Sequence, residues 1–343
     1  MTNSGVNFGL WYDFRNPAQW RRPFETLYSE SLEQIAWAEG LGFDSVWLTE
    51  HHFCDDGYCP APLVIAAAIG ARTQRIRIAT NLMLLPLHHP LRVAEEAALV
   101  SLTCGGRFDL GVGAGYVESE YRAFGRSLKN RPSLMEEGIA IIRSAWTGER
   151  IHFEGKRYTI DSIEVRPTPE QPIKILMGAT SGPAVARAAR ISDGFLSSGG
   201  IGQDTYLQAT AELDERPGNN AIFAGCWGIV AEDPEQARND LAPHLLYQTN
   251  GYIEMGAFGS GTEAPVFERA EDAINNGFYQ FWTPEEAVTQ ILEHLNAYPQ
   301  IKDMHFWAQF PGESIVSGNR RIELLASRVL PEVRKALLQQ HGD

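Results

Sequence analysis

Short apolar runs rich in β-branched and aromatic residues alternate with amphipathic segments along almost the whole 343-residue chain, and that alternation restricts it to α/β architectures. Strands are expected over 7–12 (NFGLWY), 45–50, 76–85 (IRIATNLMLL) and 108–115 (FDLGVGAG), with helices over 28–41, 62–73 and 90–103 between and after them. Four β/α units thus fall within the first 115 residues, as in a parallel sheet with crossover helices on its outside. The period then loosens. A helix over 133–147 leads into 151–165 (IHFEGKRYTIDSIEV), whose alternation about Glu154-Gly155-Lys156 predicts a hairpin. Further strands are expected over 173–179, 194–198, 221–231 and 304–310, with helices over 183–191, 206–215, 234–246, 284–296 and 315–338. The glycine-rich 249–280 has no sustained period, which suits either a lid or an excursion packed on a partner subunit. Eight strands predict a single (β/α)₈ TIM barrel over 1–343, with a hairpin insertion at about 148–170 after the fourth unit and a long one at about 248–282 in the seventh. An open doubly wound sheet uses the same alternation, so closure rests on the count.

In an α/β protein the chemistry is expected at the carboxyl ends of the strands. Four such exits stand out. The first is Glu50-His51-His52-Phe53, followed by Cys54, Asp55, Asp56 and Cys59. One histidine there could act as base or hydrogen-bond partner near neutral pH, or simply cap the strand end; a metal set would have to use a spacing that matches no tetrahedral zinc pattern. The second exit is Asn81-Leu82-Met83, continuing through Leu84, Leu85 and Pro86 to His88-His89, which offers either an apolar wall for a flat ring or a core strand running into a turn. The third carries glycines at 111, 113 and 115 followed by Tyr116, either clearing space for a bulky ligand or allowing tight packing; Tyr116 stands where a dinucleotide loop needs its third glycine. The fourth is Gly178-Ala179-Thr180-Ser181-Gly182, small residues at a helix start that suit a phosphate or ordinary capping.

The net charge of −14 leaves no basic face for nucleic acid or anionic lipid, so a small-molecule partner is expected. Met1 to Gly9 has no secretory pattern and no apolar run reaches membrane-spanning length, so the expected location is cytoplasmic. Cys54, Cys59, Cys104 and Cys226 are too few for a disulfide scaffold and are expected as reduced thiols.

WLTEHHF (47–53), LLPLHHPLRVAEE (84–96) and GGRFDLGVGAGY (105–116), taken with the 178–182 exit and Asp193-Gly194-Phe195, closely resemble the bacterial luciferase-like monooxygenase family. The resemblance implies a barrel that binds FMN, or in a sister branch the deazaflavin F420, at the strand ends. In the FMN branch reduced FMN from a separate flavin reductase reacts with O₂ to a C4a-(hydro)peroxide and oxidises a small organic substrate. By position His51 resembles the family's active-site histidine, and Asn81-Leu82 the place of a non-proline cis peptide behind the flavin ring. Cofactor contacts are accordingly expected from Asn81, Leu82, Met83, Gly113, Ala114, Tyr116, Gly178, Ala179, Thr180, Ser181 and Gly182. Gly113 and Ala114 depart from luciferase itself, which has a cysteine and a phosphate-binding arginine there. No metal is expected, and a homodimer is. The competing readings are F420-dependent hydride transfer, a metal-dependent barrel hydrolase and a non-catalytic flavin-binding subunit.

Overall fold

The computed structural model describes residues 5–213, 220–257, 266–276 and 279–340. Eight parallel strands form the barrel: β1 (Asn7–Tyr12), β2 (Ser45–Leu48), β3 (Arg77–Thr80), β4 (Phe108–Gly113), β5 (Ile175–Gly178), β6 (Gly194–Ser198), β7 (Ile222–Cys226) and β8 (Ile301–Trp307). Their spatial order is β3-β2-β1-β8-β7-β6-β5-β4. Pairing of Ile78 with Phe108 and of Ala79 with Asp109 joins β3 to β4 and closes the ring. The expected (β/α)₈ barrel is therefore the observed one.

The two-residue period of the strands divides the core. On β1, Phe8, Leu10 and Tyr12 pack outward under the helices, while Trp11 points inward. Val46 and Leu48 likewise face out and Trp47 faces in. The interior is filled by Trp11, Trp47, Leu176, Leu196, Phe223 and Trp307, so the barrel is a packed core and ligands are confined to its mouth.

Two strands are broken within their apolar runs. The 76–85 run is broken after Thr80 by a cis Asn81-Leu82 peptide, and only Met83–Leu84 resumes pairing, with Val112 and Gly113. The 221–231 run breaks at Trp227: Gly228–Val230 leaves the barrel and pairs in parallel with Gln280–Trp282. A β-carbon on Gly228 would meet the Trp282 ring at 1.8 Å, so that side pairing needs glycine. The eighth strand spans 301–307, three residues before the expected 304–310.

The helix expected over 234–246 runs instead from Pro234 to Met255, past Pro243, and ends at the left-handed Gly256. Much of the expected irregular stretch is therefore helical, with a further helix at Ala270–Asn275. Phe258 and Phe278, expected in a lid, lie outside the described residues. Ile151–Glu154 and Thr159–Ile163 pair antiparallel as the hairpin pattern predicts. The closing helix comprises Ile315–Leu324, a π-helical turn Leu325–Val329 and Leu330–Gln340. No helix among the described residues is long and apolar enough to cross a membrane.

The alternate glycines of β4 serve packing. A β-carbon at Gly111 would lie 1.8 Å from the Thr80 carbonyl oxygen, and one at Gly113 would lie 2.4 Å from the Leu82 side chain. Thr80 also bonds both ways to residue 111, accepting its N–H at 2.9 Å and donating to its carbonyl at 2.6 Å. Gly111→Ala is accordingly expected to destabilise the barrel by about 3 kcal/mol or more, read by urea unfolding, because the clash is with backbone and cannot be relieved by a rotamer. An unchanged midpoint would show that β3 and β4 can separate freely.

Candidate active site

The strand ends surround a cavity of about 1210 Å³. Pockets for single small molecules run to about 1000 Å³ at most, so this one has room for a three-ring cofactor and a second small compound. Two of its ends differ in chemistry.

At the first end His51, following β2, is 5% exposed and lines the cavity. Its Nδ1 lies 3.0 Å from Glu120 Oε1, and its Nε2 lies 3.1 Å from the Tyr116 hydroxyl. Glu120 Oε1 also accepts the His52 backbone N–H at 2.7 Å, and Glu120 Oε2 has no hydrogen-bond partner among the described residues. A carboxylate on Nδ1 fixes the ring and its tautomer, leaving Nε2 as the nitrogen that exchanges a proton on the cavity side. Burial pushes the Tyr116 phenol well above its ordinary value, so it stays a hydrogen-bond donor. Tyr58 packs edge-on against the imidazole at 4.9 Å.

His52 is turned to a different task. Its Nε2 lies 2.8 Å from Glu50 Oε1, His88 Nε2 lies 2.7 Å from the same oxygen, and Glu50 Oε2 accepts the Leu84 N–H at 2.5 Å. Glu50, His52 and His88 are the group whose ligand atoms converge among the described residues, without any of the cysteines. Donors and acceptor satisfy one another, and the cluster ties the β2 exit to the loop after Leu82. Burial pushes the Glu50 carboxyl up, but hydrogen bonds from His52 and His88 overcome it and bring it to about 2 from an ordinary 4.5. Its contribution to stability is thus present above 4.5 and lost as pH falls toward 2. Burial pushes His88 down and Glu50 more than reverses this, so its contribution is present below 6.5 and is lost as pH rises through its raised value. Acid unfolding followed by circular dichroism should therefore flatten between pH 4.5 and 2 in Glu50→Gln relative to the unsubstituted chain; parallel curves would contradict the shift.

Trp11, Tyr58, Trp227, Tyr252, Tyr279 and Trp282 give this half of the cavity aromatic walls. Trp11 stacks on Trp307 at 4.3 Å and meets Trp227 edge-on at 6.4 Å. Arg15 lies behind the wall, its Nε donating to Asp56 at 2.6 Å and its charge against the Tyr58 and Tyr247 rings.

The opposite end follows β5. Ala179, Thr180 and Ser181 line it just before the helix Gly182–Ile191, whose N-cap Ser181 makes no side-chain capping bond. The positive end of the helix dipole favours an anion there, although Pro183 has no N–H and those of Ala184 and Val185 are taken by the Ser181 carbonyl. Two arginines absent from the sequence reading add positive charge to the cavity wall. Arg131 and Arg187 both line the cavity; Arg131 Nη1 donates to the Gly115 carbonyl at 3.2 Å, and Arg187 Nε to Glu136 at 2.7 Å. This donor set fits a phosphate and supplies the charge that Ala114 lacks.

Of the residues expected from sequence, His51, Asn81, Leu82, Gly113, Ala114, Tyr116, Gly178, Ala179, Thr180 and Ser181 all line the cavity. Met83 does not: it is 2% exposed and packed in the outer core, and Leu84 takes its place on the wall. Gly182 also stands off the wall, as the first residue of its helix. Leu82 projects over Gly113 and Gly178, where added β-carbons would lie 2.4 and 2.6 Å from it, so the glycines seat the apolar wall between the two ends. Glu120 was missed because it lies on a six-residue helix, Glu118–Ala123, too short for a periodic signal. Arg187 had one: it sits about one turn inside the helix that follows the small-residue exit.

Residues 6–300 match the luciferase-like monooxygenase family profile. An F420-dependent glucose-6-phosphate dehydrogenase of Kribbella flavida is 33% identical, with 89% of this chain and 94% of that protein covered. The limonene 1,2-monooxygenase of Rhodococcus erythropolis is 28% identical over 88% of this chain and 80% of its own. Against other F420-dependent glucose-6-phosphate dehydrogenases the chain spans little more than half of the relatives' length, 55% to 59%. The crystal structure of monooxygenase RslO1 from Streptomyces bottropensis shares the fold with a TM-score of 0.81 at 24% identity, covering 95% of this chain and 99% of that one.

Proposed function

Because the chain belongs to the luciferase-like monooxygenase family of oxidoreductases, we propose that it oxidises a small, uncharged and mostly apolar organic compound with O₂, using reduced FMN held in the barrel-mouth cavity. The observation that carries this reading is the distribution of charge along the wall. Arg131 and Arg187 are the cations among the described lining residues, Arg187 on the helix that follows the Ala179 to Ser181 exit and Arg131 held on the Gly115 carbonyl beyond β4. One end thus suits a single phosphate and the other a neutral substrate, with Leu82 as the apolar wall for a ring between them. When bound, reduced FMN supplies the electrons that activate O₂ for transfer of one oxygen atom to the substrate. The protein's own part is to orient and to exclude water. Glu120 holds the His51 ring, His51 Nε2 holds or moves a proton beside the reacting groups, Tyr116 donates a hydrogen bond to that nitrogen, and the tryptophans and tyrosines keep the site dry. A separate flavin reductase and a homodimeric assembly belong to the same reading.

The second reading is hydride transfer with F420, favoured by the 33% identity to the Kribbella flavida dehydrogenase over 89% of the chain. Against it stand Glu136 beside Arg187 and Glu293 on the cavity wall, which oppose a longer polyanionic tail. A sugar phosphate as substrate would also need a cation at the aromatic end. Aerobic incubation with reduced FMN and limonene, set against anaerobic incubation with F420 and glucose 6-phosphate, separates the two. Oxygen-dependent product only in the first supports the proposal; turnover only in the second replaces it.

A further inference from the structure

An unbroken chain of buried hydrogen bonds runs up the inside of the barrel from its lower end to the cavity wall. At the bottom Asp303 borders a second cavity of about 500 Å³. Its Oδ2 accepts from Ser45 Oγ at 2.6 Å, and its Oδ1 accepts from Trp47 Nε1 at 2.9 Å and lies 3.1 Å from His305 Nδ1. His305 is fully buried, stacked on Trp47 at 4.5 Å and edge-on to Trp11 at 5.2 Å. Its Nε2 lies 2.9 Å from Asn81 Nδ2, and Asn81 lines the upper cavity immediately before Leu82. The Asn81 backbone is pinned as well: its carbonyl accepts from Trp11 Nε1 at 3.1 Å and its N–H donates to the Leu48 carbonyl at 2.6 Å.

The direction of each bond follows from the one below it. Burial lowers the His305 pKa despite the opposing pull of Asp303, so the ring is neutral and carries one proton. Asp303 takes that proton's hydrogen bond on Nδ1, which leaves Nε2 with only a lone pair. Asn81 must therefore turn Nδ2 toward the histidine, since the flipped amide would set oxygen against that lone pair. Its Oδ1 is then the remaining polar atom of the amide, and no described residue donates to it. The mechanism above uses neither Asp303 nor His305, although both are buried and polar inside a largely apolar barrel.

We propose that Asp303 and His305 are positioning residues that lock Asn81 as a hydrogen-bond acceptor for a ring N–H of the cofactor. This rests on the reading of the cavity as a flavin-type site, whether FMN or F420 fills it. The lock makes the wall selective for a ligand with an N–H edge, and it acts over the length of the barrel without His305 touching the ligand.

The test is equilibrium titration of the full chain with FMN, followed by fluorescence, with circular dichroism and Tm recorded for each variant. Asn81→Ala should weaken binding about 10-fold, the size of one lost hydrogen bond in a buried site. His305→Leu should weaken it to a similar extent, and the double variant should be no weaker than Asn81→Ala alone, because both substitutions remove the same bond. His305→Gln should bind nearly as the unsubstituted chain does, since a glutamine amide can donate to Asp303 and accept from Asn81. A His305→Leu protein that loses Tm but keeps its FMN affinity would overturn the lock. So would additive losses in the double variant, or a His305→Gln protein as weak as His305→Leu. An unsubstituted chain that binds neither FMN nor F420 would overturn the cofactor reading itself, and with it the ligand named for Asn81.

Discussion

Replacing His51 by alanine is expected to lower turnover by at least ~10²-fold, the usual contribution of a positioned acid or base, while cofactor affinity stays within about twofold. The separation follows from geometry. His51 belongs to the aromatic end and is held there by Glu120 and Tyr116, whereas the phosphate cradle lies after β5. Glu120→Gln gives a graded control. An amide can donate to Nδ1 as well as accept from it, so the tautomer is no longer dictated and a smaller loss of turnover should appear with cofactor affinity again unchanged. Steady-state kinetics with a parallel FMN titration checks both. Full activity in His51→Ala would remove the histidine from the chemistry, and a collapse of FMN binding would make it a cofactor contact.

The second large effect concerns the cradle. Arg131→Ala combined with Arg187→Ala should weaken FMN binding about 100-fold, as expected for two charge-assisted bonds to a phosphate of roughly 1.5 kcal/mol each or slightly less. Riboflavin, which has the ring and no phosphate, should bind the double variant and the unsubstituted chain alike. The comparison controls for any disturbance of the fold, because a distorted cavity would lose both ligands. Equal losses for FMN and riboflavin would place the phosphate elsewhere. Arg187 also pairs with Glu136, so Arg187→Ala alone should cost more than Arg131→Ala alone, the carboxylate beside the anion being left with only the longer Arg190 contact at 3.5 Å.

The barrel was legible in the sequence because each strand is buried on both sides and so appears as an apolar run, and each crossover helix has its own stripe. The interruptions were not. Thr80 to Leu84 and Cys226 to Val230 read as continuous strands, since a single Asn81 or Gly228 does not interrupt the apolar run around it; each break is nevertheless what turns a residue, Leu82 or Trp227, into the cavity. Pro243 and the glycines near it hid the continuation of the Pro234–Met255 helix, which is held by Leu241 and Leu245 packing on the barrel's aromatic cluster.

The site divides in the same way. His51, Tyr116 and the Ala179 to Ser181 exit were found because strand ends are where an α/β protein exposes polar groups. Met83 was misplaced because the consecutive Asn81, Leu82 and Met83 were all expected at the ligand, whereas side chains alternate there: Leu82 and Leu84 face the cavity and Met83 between them turns into the outer core. Glu120, Arg131 and Arg187 reach the site from helices; Arg187 follows the small-residue exit, but nothing in linear order marks that Glu120 and Arg131 turn toward the cavity.

Titration of the intact chain with FMN, reduced FMN and F420 addresses the central claim most directly. The account predicts saturable binding of one equivalent of FMN per chain, tighter than riboflavin and lost in the Arg131→Ala, Arg187→Ala double variant, with F420 weaker. Binding of none of the three, or FMN binding that survives loss of both arginines, would contradict it.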